Sequence, residues 1–310
     1  MLISVIIPAR DRTALLRRAI GSVIGQTLTD WELIVVDDGS EADVAAVIER
    51  WDDPRIRLIR LPEPSGAPVA RNRGVLESAG EFVTFLDSDD EYLSEKLQRQ
   101  LEAITADPSL GCVMCGFVEL TETRSRVRTP RDPVTYTGLL HGPQNWVTTG
   151  QLLVRSSLAR QVRFDEALPA YQDWDLLVRL ADSTHIGVDP EPLLIKHEHT
   201  GSRIYSGARK HEAVITVRSK YRSQVASSSE TDLAWHIRIA IAHTELGQID
   251  QARREIADAI RKYPTRLGLY LWYLAGVSRP TLRVFLRIRY RTRRVRRYAA
   301  ELPALFKGPR

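Results

Sequence analysis

The sequence predicts an α/β fold, in which a mainly parallel, Rossmann-like sheet is flanked by helices and followed by a C-terminal α-helical extension. Three short apolar runs, at residues 3–7, 32–36 and 82–86, carry this prediction, and helix-forming segments lie between them. Compact apolar runs bounded by turn residues are typical of buried strands. Strands that alternate with helices in close succession pair in parallel through right-handed crossovers.

Aspartates cluster where two of the predicted strands end. Asp37 and Asp38 follow the second run, and Asp87, Asp89 and Asp90 follow the third. Open α/β sheets bind ligands at the carboxyl ends of their strands. Clustered carboxylates repel one another unless a positive group compensates them, and Mg²⁺ or Mn²⁺ held by one or two carboxylates and a substrate's phosphates would do so. The alternative interpretation is an acidic turn that caps the following helix.

Ordered segments of the chain resemble the family 2 glycosyltransferases, which have the GT-A fold. The resemblance lies in residues 4–8, 22–27, 31–40, 70–74 and 80–90, and it continues in residues 164–166 and 172–177. It covers residues 1–205, which it identifies as a GT-A catalytic domain. Residues 206–310 then form a helical C-terminal region.

The resemblance implies a nucleotide site in the first part of the chain. Asp38, the second aspartate of Val-Val-Asp-Asp-Gly-Ser, would bind the nucleotide base. Pro8 and Arg10 would flank that base, and Arg71 would lie near the nucleotide or its phosphates. On the residues alone, Arg71 could instead pair with a surface acid. Arg10 and Asp11 stand where the family often has a small polar or aromatic residue and an asparagine, so the detail of the base contacts is left open.

The resemblance also implies a metal site and a catalytic base. Asp87, Ser88 and Asp89 match the family's Asp-x-Asp motif, with Asp89 as the direct ligand of Mg²⁺ or Mn²⁺. Asp173 matches the catalytic base, and His199 resembles a late histidine that contacts the metal or the diphosphate. Without the resemblance, Asp173 would be interpreted as a solvated or capping residue of a helix and His199 as a surface or structural histidine.

The reaction implied by the resemblance is an inverting, metal-dependent sugar transfer. The donor would be a nucleoside-diphosphate sugar, with UDP as the expected nucleotide. The acceptor would be a hydroxyl of a cell-surface polysaccharide, a glycan or a lipid-linked precursor, and Asp173 would take its proton. The family usually has a glutamate before this base, where this chain has Gln172. A neutral neighbour removes one like charge, so we expect Asp173 to ionise more easily.

Two other function classes stay open. One is a non-catalytic nucleotide-sugar-binding adaptor of a membrane-associated glycan assembly complex, which donor turnover would separate from an enzyme. The other is a nicotinamide oxidoreductase on a doubly wound fold. This class needs a Gly-x-Gly-x-x-Gly turn after the first strand, where this chain has Pro8-Ala9-Arg10.

Basic residues are concentrated at the C-terminus. Residues 259–310 hold 14 Lys or Arg and one acid, a formal charge of +13, whereas the whole chain carries +5 and the remainder therefore −8. Residues 279–297 contain nine arginines and no acid, in a pattern typical of a basic amphipathic helix. We expect this segment, the basic tail, to attach to an anionic membrane surface. Packing on the acidic catalytic part is the alternative, and nucleic acid is not expected because aromatic interleaving is sparse.

A helical hairpin is predicted between the catalytic part and the basic tail. Three serines, at residues 227–229, indicate a break, and residues 234–264 resemble the second half of a tetratricopeptide repeat. A single copy cannot form a solenoid, which needs at least about three repeats. The hairpin is therefore expected to be a small appendage that packs on the catalytic domain or contacts a partner.

The two cysteines predict buried free thiols. Cys112 and Cys115 lie in a predicted strand at residues 111–120, and no second cysteine pair completes a zinc site. Free thiols are consistent with a reducing cytoplasm. Met1 leads directly into the first strand without the pattern of a signal peptide. We therefore expect a cytoplasmic protein that is attached peripherally to the inner face of the membrane.

Overall fold

The computed structural model describes residues 2–130, 133–143, 146–198, 207–274 and 280. The chain divides into two units, Met1–Ile204 and Tyr205–Arg310. Within the described residues, the strands are β1 (Ile3–Ala9), β2 (Trp31–Asp37), β3 (Ile56–Arg60), β4 (Phe82–Phe85), β5 (Glu91–Tyr92), β6 (Leu110–Leu120), β7 (Ser125–Arg128), β8 (Leu152–Arg155) and β9 (His185–His197). All of them belong to one sheet in the first unit.

Helices flank this sheet in the first unit, and all described elements of the second unit are helices. The helices of the first unit are α1 (Thr13–Ile24), α2 (Ala45–Glu49), α3 (Ala67–Glu77), α4 (Lys96–Ala106), α5 (Tyr136–Leu139), a 3₁₀ helix (Thr149–Gln151), α6 (Ser156–Val162) and α7 (Gln172–Ser183). Those of the second unit are α8 (Gly207–Lys220), α9 (Arg222–Ala226), α10 (Ser229–Glu245), α11 (Ile249–Lys262) and α12 (Leu267–Leu274). The predicted mainly parallel sheet and the helical C-terminal region are confirmed.

The sheet order is β3-β2-β1-β4-β8-β6-β9-β5, with β7 paired to β6. The first four strands in this order are parallel, and β1, β2 and β4 among them are the three that the sequence predicts to pair in parallel. β6 and β9 also run parallel to each other, whereas β8, β5 and β7 run against their neighbours. Because β1 and β4 are buried along their whole length, their sequences are continuous apolar runs rather than alternating ones.

Five strands were not predicted: β3, β5, β7, β8 and β9. β3 is the edge strand, and its sequence Ile-Arg-Leu-Ile-Arg leaves it only partly buried. β8 is a four-residue strand inserted antiparallel between β4 and β6. A half-exposed edge strand and a very short strand both lack the long apolar run that identifies β1 and β2.

A buried polar network lies beneath the end of β4. Lys96 is fully buried, and its ammonium donates hydrogen bonds to Thr84 Oγ1 at 3.1 Å and to Gln100 Oε1 at 2.6 Å. It also lies 4.1 Å from the centroid of the Tyr92 ring, and the Tyr92 hydroxyl donates to the carbonyl of Phe85 at 2.5 Å. Because burial penalises the charged form, the pKa of Lys96 falls to about 8. The network joins α4 and β5 to β4.

The predicted buried thiols are confirmed. Cys112 and Cys115 lie on β6, are free and are buried. Burial raises the pKa of both thiols, that of Cys115 to about 11. Thiols with raised pKa values in a closed core act as small apolar side chains rather than as nucleophiles.

The second unit is built around two packed helices. α10 and α11 bury a small apolar cluster that includes Ala240, Ala252 and Ile256. On α10, Asp232 is buried and accepts hydrogen bonds from Lys262 Nζ at 2.5 Å and from the Tyr263 hydroxyl at 2.7 Å. A helical pair is therefore present where the sequence predicts a hairpin.

The last described helix of the second unit has one buried and one exposed side. Leu269 and Trp272 of α12 pack into the apolar cluster, whereas Leu267, Leu271 and Leu274 are exposed by 74%, 64% and 78%. Apart from residue 280, the basic tail lies outside the described residues. Among those residues, no helix has the length and apolar character needed to cross a bilayer.

Gly74 sets how closely α3 approaches β1. A β-carbon added at Gly74 would lie 2.5 Å from Ile6 Cγ2, closer than side chains can come. We predict that Gly74→Ala destabilises the protein by about 1–3 kcal/mol, the usual cost of overpacking a core. Gly21→Ala on α1 is the matched control, because its β-carbon would meet Trp51 only at 3.4 Å. A helical Gly→Ala change without a clash stabilises by about 0.5–1 kcal/mol. Urea unfolding measures both, and equal stability of the two variants would contradict the close approach.

Candidate active site

Three loops meet at one edge of the sheet because their strands pair in parallel. The backbone ladder continues past the strands, where Asp38 N–H donates to the carbonyl of Ala9 at 2.8 Å. On the other side of β1, Leu86 N–H donates to the carbonyl of Ile6 at 3.0 Å. The loops that follow β1, β2 and β4 therefore begin at neighbouring positions, and they carry most of the predicted site residues.

Asp38 is buried and holds the loop that leads into α3. Its carboxylate accepts hydrogen bonds from the backbone N–H groups of Ser65, at 2.6 Å, and Gly66, at 2.9 Å. Pro8 is buried within β1, and Arg10 is exposed and forms an ion pair with Asp11 at 3.8 Å. The three residues predicted around the base thus come from two adjacent strand ends, and the Asp38 carboxylate already bonds to the protein backbone.

Arg71 and Asp87 form a close ion pair. Arg71 of α3 is buried, and its Nη2 lies 2.5 Å from Asp87 Oδ1. The guanidinium also lies 5.3 Å from the ring centroid of Phe164. Burial alone would raise the pKa of Asp87, but Arg71 and the ammonium of Lys196 hold it below its ordinary value. Arg71 therefore pairs with an acid of the Asp-x-Asp motif and not with a surface acid.

Asp89 is held by two arginines that the sequence did not single out. Arg12, at the start of α1, places Nη1 at 2.7 Å from Asp89 Oδ2. Arg18 of α1 donates Nη2 to the backbone carbonyl of Asp89 at 2.6 Å and pairs through Nε with Glu91 at 3.3 Å. Ser88 is buried between the two aspartates of the motif. One arginine thus binds the side chain of Asp89, and the other fixes its backbone.

Asp90 is the buried member of the carboxylate cluster. Burial raises its pKa well above the ordinary value, and the negative charges of Asp87 and Asp89 raise it further. It accepts a hydrogen bond from the backbone N–H of His197 at 3.0 Å. The His197 ring lies 2.6 Å from Glu91 Oε1. His199, the predicted metal or diphosphate contact, lies outside the described residues.

Asp173 lies in the first turn of α7. Its Oδ1 accepts the backbone N–H of Trp174 at 2.8 Å. Burial raises the pKa of Asp173, and the positive charges of Lys196 and Arg71 oppose the rise. Gln172 donates its amide to the carbonyl of Leu168 at 2.8 Å. Gln172 carries no charge that would raise the pKa of Asp173, but burial raises it. Asp173 is therefore harder to ionise than an ordinary aspartate, and the expectation that it ionises more easily is wrong.

The N-terminal part of α7, the helix that carries Asp173, is held by local contacts. Its N-cap, Tyr171, has φ 62°, in the left-handed region that few non-glycine residues adopt. Asp175 is fully buried and paired with Arg179 at 2.7 Å, so this carboxylate serves the helix rather than the site. Since such backbone strain persists only where surrounding contacts support it, the position of Asp173 is well determined by the fold.

Electrostatic influence links Asp173 to the Asp-x-Asp motif. The charges of Arg71, Lys196 and Asp87 all act on the pKa of Asp173. The charges of Arg71 and Asp87, which are 16 residues apart and paired with each other, therefore reach Asp173 much later in the chain. Lys196, near the end of β9, is a third cation that the sequence did not single out. The available signal was its position two residues after buried Leu194, on the same face of the strand.

Asn72, next to Arg71 on α3, forms hydrogen bonds with residues 164–166, a segment that carries part of the family resemblance. Its side chain accepts the backbone N–H of Phe164 at 2.8 Å and donates to the Phe164 carbonyl at 2.9 Å. It also donates to Glu166 Oε1 at 2.8 Å. Phe164 packs edge-on against Phe85, with ring centroids 5.1 Å apart. These contacts give residues 164–166 a local structural role beside Arg71.

The Asp87 and Asp89 carboxylates fit a divalent cation in part. The described residues contain no group of three or more His, Cys, Asp or Glu side chains placed to hold a metal on their own. Mg²⁺ and Mn²⁺ need only one or two carboxylates when a substrate's phosphates supply further oxygens. Both carboxylates offer such oxygens, although each already pairs with an arginine.

Comparison with known proteins identifies relatives of the first unit. The sequence profile described as "Glycosyl transferase family 2" matches residues 4–162. The putative teichuronic acid biosynthesis glycosyltransferase TuaG of Bacillus subtilis (strain 168) is 39% identical over 103 residues, which are 33% of this chain and 41% of that protein. The Escherichia coli enzyme UDP-Glc:alpha-D-GlcNAc-diphosphoundecaprenol beta-1,3-glucosyltransferase WfgD is 36% identical over 100 residues, 32% of this chain and 40% of that protein. The matches thus span about two fifths of these curated relatives.

Solved structures share the fold. The crystal structure of S. aureus TarS 1-349 in complex with UDP-GlcNAc superposes with a TM-score of 0.63 at 18% identity, covering 86% of this chain and 83% of that one. At this identity, the similarity shows a common fold. It confirms the GT-A type architecture that the sequence resemblance implied.

We predict that Lys196→Met raises the pKa of Asp173 and of Asp87. The ammonium of Lys196 lowers both values, so its removal leaves burial less opposed. Each carboxyl would then take up its proton at a higher pH. Carbon-13 NMR titration of labelled aspartates, assigned with Asp173→Asn, measures the shift. Lys196→Arg keeps the charge and should titrate like the wild type; an unchanged Asp173 in Lys196→Met would contradict the assigned electrostatics.

Proposed function

The chain belongs to Glycosyl transferase family 2, and from that premise we propose that it is an inverting, metal-dependent enzyme that transfers a sugar from a nucleoside diphosphate to an acceptor hydroxyl. The observation that carries the proposal is the cluster of Asp173, Arg71 and Asp87. Burial raises the pKa of Asp173, and the charges of Arg71 and Asp87, the ion pair proposed to face the leaving diphosphate, act on the same carboxyl. A single displacement requires a base and a leaving-group site that reach the same sugar carbon from opposite faces.

The donor would bind along the ends of β1, β2 and β4. Asp38 and Pro8 would contact the nucleotide base, with Arg10 beside it at the exposed rim. Arg71, buried and already directed at Asp87, would face the diphosphate without losing its fixed position. UDP is the proposed nucleotide, supported by the UDP-glucose named for the Escherichia coli relative and the UDP-GlcNAc named for the TarS structure.

Mg²⁺ or Mn²⁺ would be held by Asp89, with Asp87 beside it and His199 as the further proposed contact. When bound, such a cation offsets the negative charge that develops on the departing diphosphate. Arg71 supplies a fixed positive charge next to the same position. Fixed charges in a partly closed site need no rearrangement during the reaction, so they lower its barrier more than mobile ones do.

Asp173 would accept the proton of the acceptor hydroxyl. A hydroxyl is a weak nucleophile until a positioned base takes its proton, and a base works best when its pKa approaches the working pH. The raised pKa of Asp173 is a change in that direction. Attack from the side opposite the diphosphate inverts the anomeric carbon in one step, with no covalent intermediate on the protein.

The proposed acceptor is a hydroxyl of a polysaccharide, glycan or lipid-linked precursor. The relatives support it, because one is named for teichuronic acid biosynthesis and another for transfer to a diphosphoundecaprenol-linked sugar. A lipid-linked acceptor would bring the enzyme to a membrane surface. The exposed leucines of α12 followed by the nine arginines of residues 279–297 favour the same partner, because apolar and basic residues together bind anionic bilayers.

We predict that Asp89→Asn nearly abolishes transfer while the protein stays folded. The change removes the charge of the proposed direct metal ligand. Turnover of a panel of UDP- and GDP-sugars, each with Mn²⁺, Mg²⁺ or EDTA, measures the effect and identifies the donor. Activity within a few-fold of wild type, or full activity in EDTA, would refute the metal assignment. Donor binding without any turnover by the wild type would instead favour the non-catalytic adaptor.

We predict that Asp173→Asn lowers turnover by about 10²–10⁴-fold, the usual range for a lost general base. Donor affinity should change little, because Asp173 acts on the acceptor. Since the folded pKa of Asp173 is raised, wild-type turnover should fall with decreasing pH from above the ordinary aspartate value, and the variant should lack this acidic limb. Asp182→Asn, exposed on the same helix, is the control. Weakened donor binding with normal single-turnover chemistry would contradict the role.

We predict that the full chain sediments with anionic vesicles at low salt and is released as salt increases. Each basic residue near such a surface contributes about 1 kcal/mol, screened by salt. Truncation near Ser278 should remove binding and spare donor turnover, because the proposed donor residues precede position 205. Vesicles of neutral lipid are the control. Equal binding with and without the tail would leave packing on the protein itself as the explanation of the arginines.

A further inference from the structure

We propose that Arg12 competes with the divalent cation for the Asp89 carboxylate, and that metal and donor bind together because the donor's diphosphate takes over Arg12. This inference rests on the proposed metal-dependent function. It concerns a residue to which the resemblance assigns no role. Its basis is the 2.7 Å ion pair between Arg12 Nη1 and Asp89 Oδ2.

The two carboxylates of the Asp-x-Asp motif have different cation partners. Arg71, the partner of Asp87, has an 8% exposed side chain and packs against Phe164. Arg12, the partner of Asp89, has a 37% exposed side chain, and Asp89 is itself 22% exposed. A buried, packed guanidinium stays in place, whereas a partly exposed one can leave at little cost. Asp89 is therefore the carboxylate that can exchange its arginine for a metal ion.

The rest of the turn does not depend on Arg12. Arg18 binds the backbone carbonyl of Asp89 at 2.6 Å, and Glu91 at 3.3 Å. Asp90 N–H donates to the carbonyl of Asp87 at 3.0 Å. These contacts hold the turn when the Arg12 side chain moves. A change at Arg12 should therefore alter the charge seen by a metal ion without displacing its carboxylate ligand.

Charge explains both the competition and the coupling. A guanidinium and a divalent cation repel each other when they share one carboxylate, so Arg12 weakens metal binding in the donor-free enzyme. A diphosphate brings negative charge beside Asp89 and gives Arg12 a second partner. Donor binding then strengthens metal binding, and by thermodynamic linkage metal binding strengthens donor binding by the same factor.

The test is Mn²⁺ binding, measured by electron paramagnetic resonance on the full chain without donor. We expect Arg12→Gln to bind Mn²⁺ about three- to tenfold more tightly than the wild type, because one partly exposed ion pair and one like charge are removed. Arg17→Gln on the exposed side of α1 makes the same charge change and should stay near wild type. Arg12→Lys keeps a cation and should lie closer to wild type than Arg12→Gln does.

The second readout is the effect of UDP on Mn²⁺ affinity. We expect UDP to strengthen Mn²⁺ binding by a larger factor in the wild type than in Arg12→Gln, because only the wild type must release Arg12. A gain of affinity cannot arise from misfolding. Weaker or unchanged Mn²⁺ binding in Arg12→Gln, relative to Arg17→Gln, would overturn the inference while the metal-dependent function stands. Absence of Mn²⁺ binding to the wild type even with UDP would overturn both.

Discussion

The position of β1 between β2 and β4 is the constraint on which the site depends. Parallel strands place their carboxyl ends at one edge of a sheet, and here the ladder continues through Asp38 N–H and Leu86 N–H beyond the strands themselves. The loops after the three strands therefore start side by side. Without this register, Asp38 and the Asp-x-Asp sequence at residues 87–89 would not share one edge.

Compensation of buried charge shapes the remainder of the site. The carboxylates that follow β4 each contact a group from a different element. Asp87 pairs with Arg71 of α3, Asp89 pairs with Arg12 before α1, and Asp90 accepts a backbone N–H at the end of β9. Beneath the turn, Lys96 is buried with neutral hydrogen-bond partners, an arrangement that is costly unless every polar group is satisfied. Helices and strands are thus joined to the turn by electrostatic contacts as well as by apolar packing.

The pattern of apolar residues in the sequence predicted the strands that are buried on both faces of the sheet. The strands β1, β2 and β4 are buried on both faces, so each gives a continuous apolar run that a sequence alone reveals. The resemblance implied roles for Asp87, Asp89 and Asp173. Asp87 and Asp89 follow the end of β4, as the sequence predicts, and Asp173 lies in the first turn of α7. β3 was not predicted because it is an edge strand with two arginines and therefore has no continuous apolar run. Its presence follows only from pairing with β2.

The sequence by itself determined the buried strands β1, β2, β4 and β6, the carboxylates at the strand ends and the basic tail, because these are properties of neighbouring residues. Tertiary structure alone decided which cation meets which carboxylate. Arg12 and Asp89 are 77 residues apart, and Asn72 and Phe164 are 92 apart. Neither periodicity nor spacing encodes such pairs, since they depend on how the strands order themselves in the sheet. Burial, which only the tertiary structure reveals, likewise decided that the pKa of Asp173 is raised although its neighbour Gln172 is neutral.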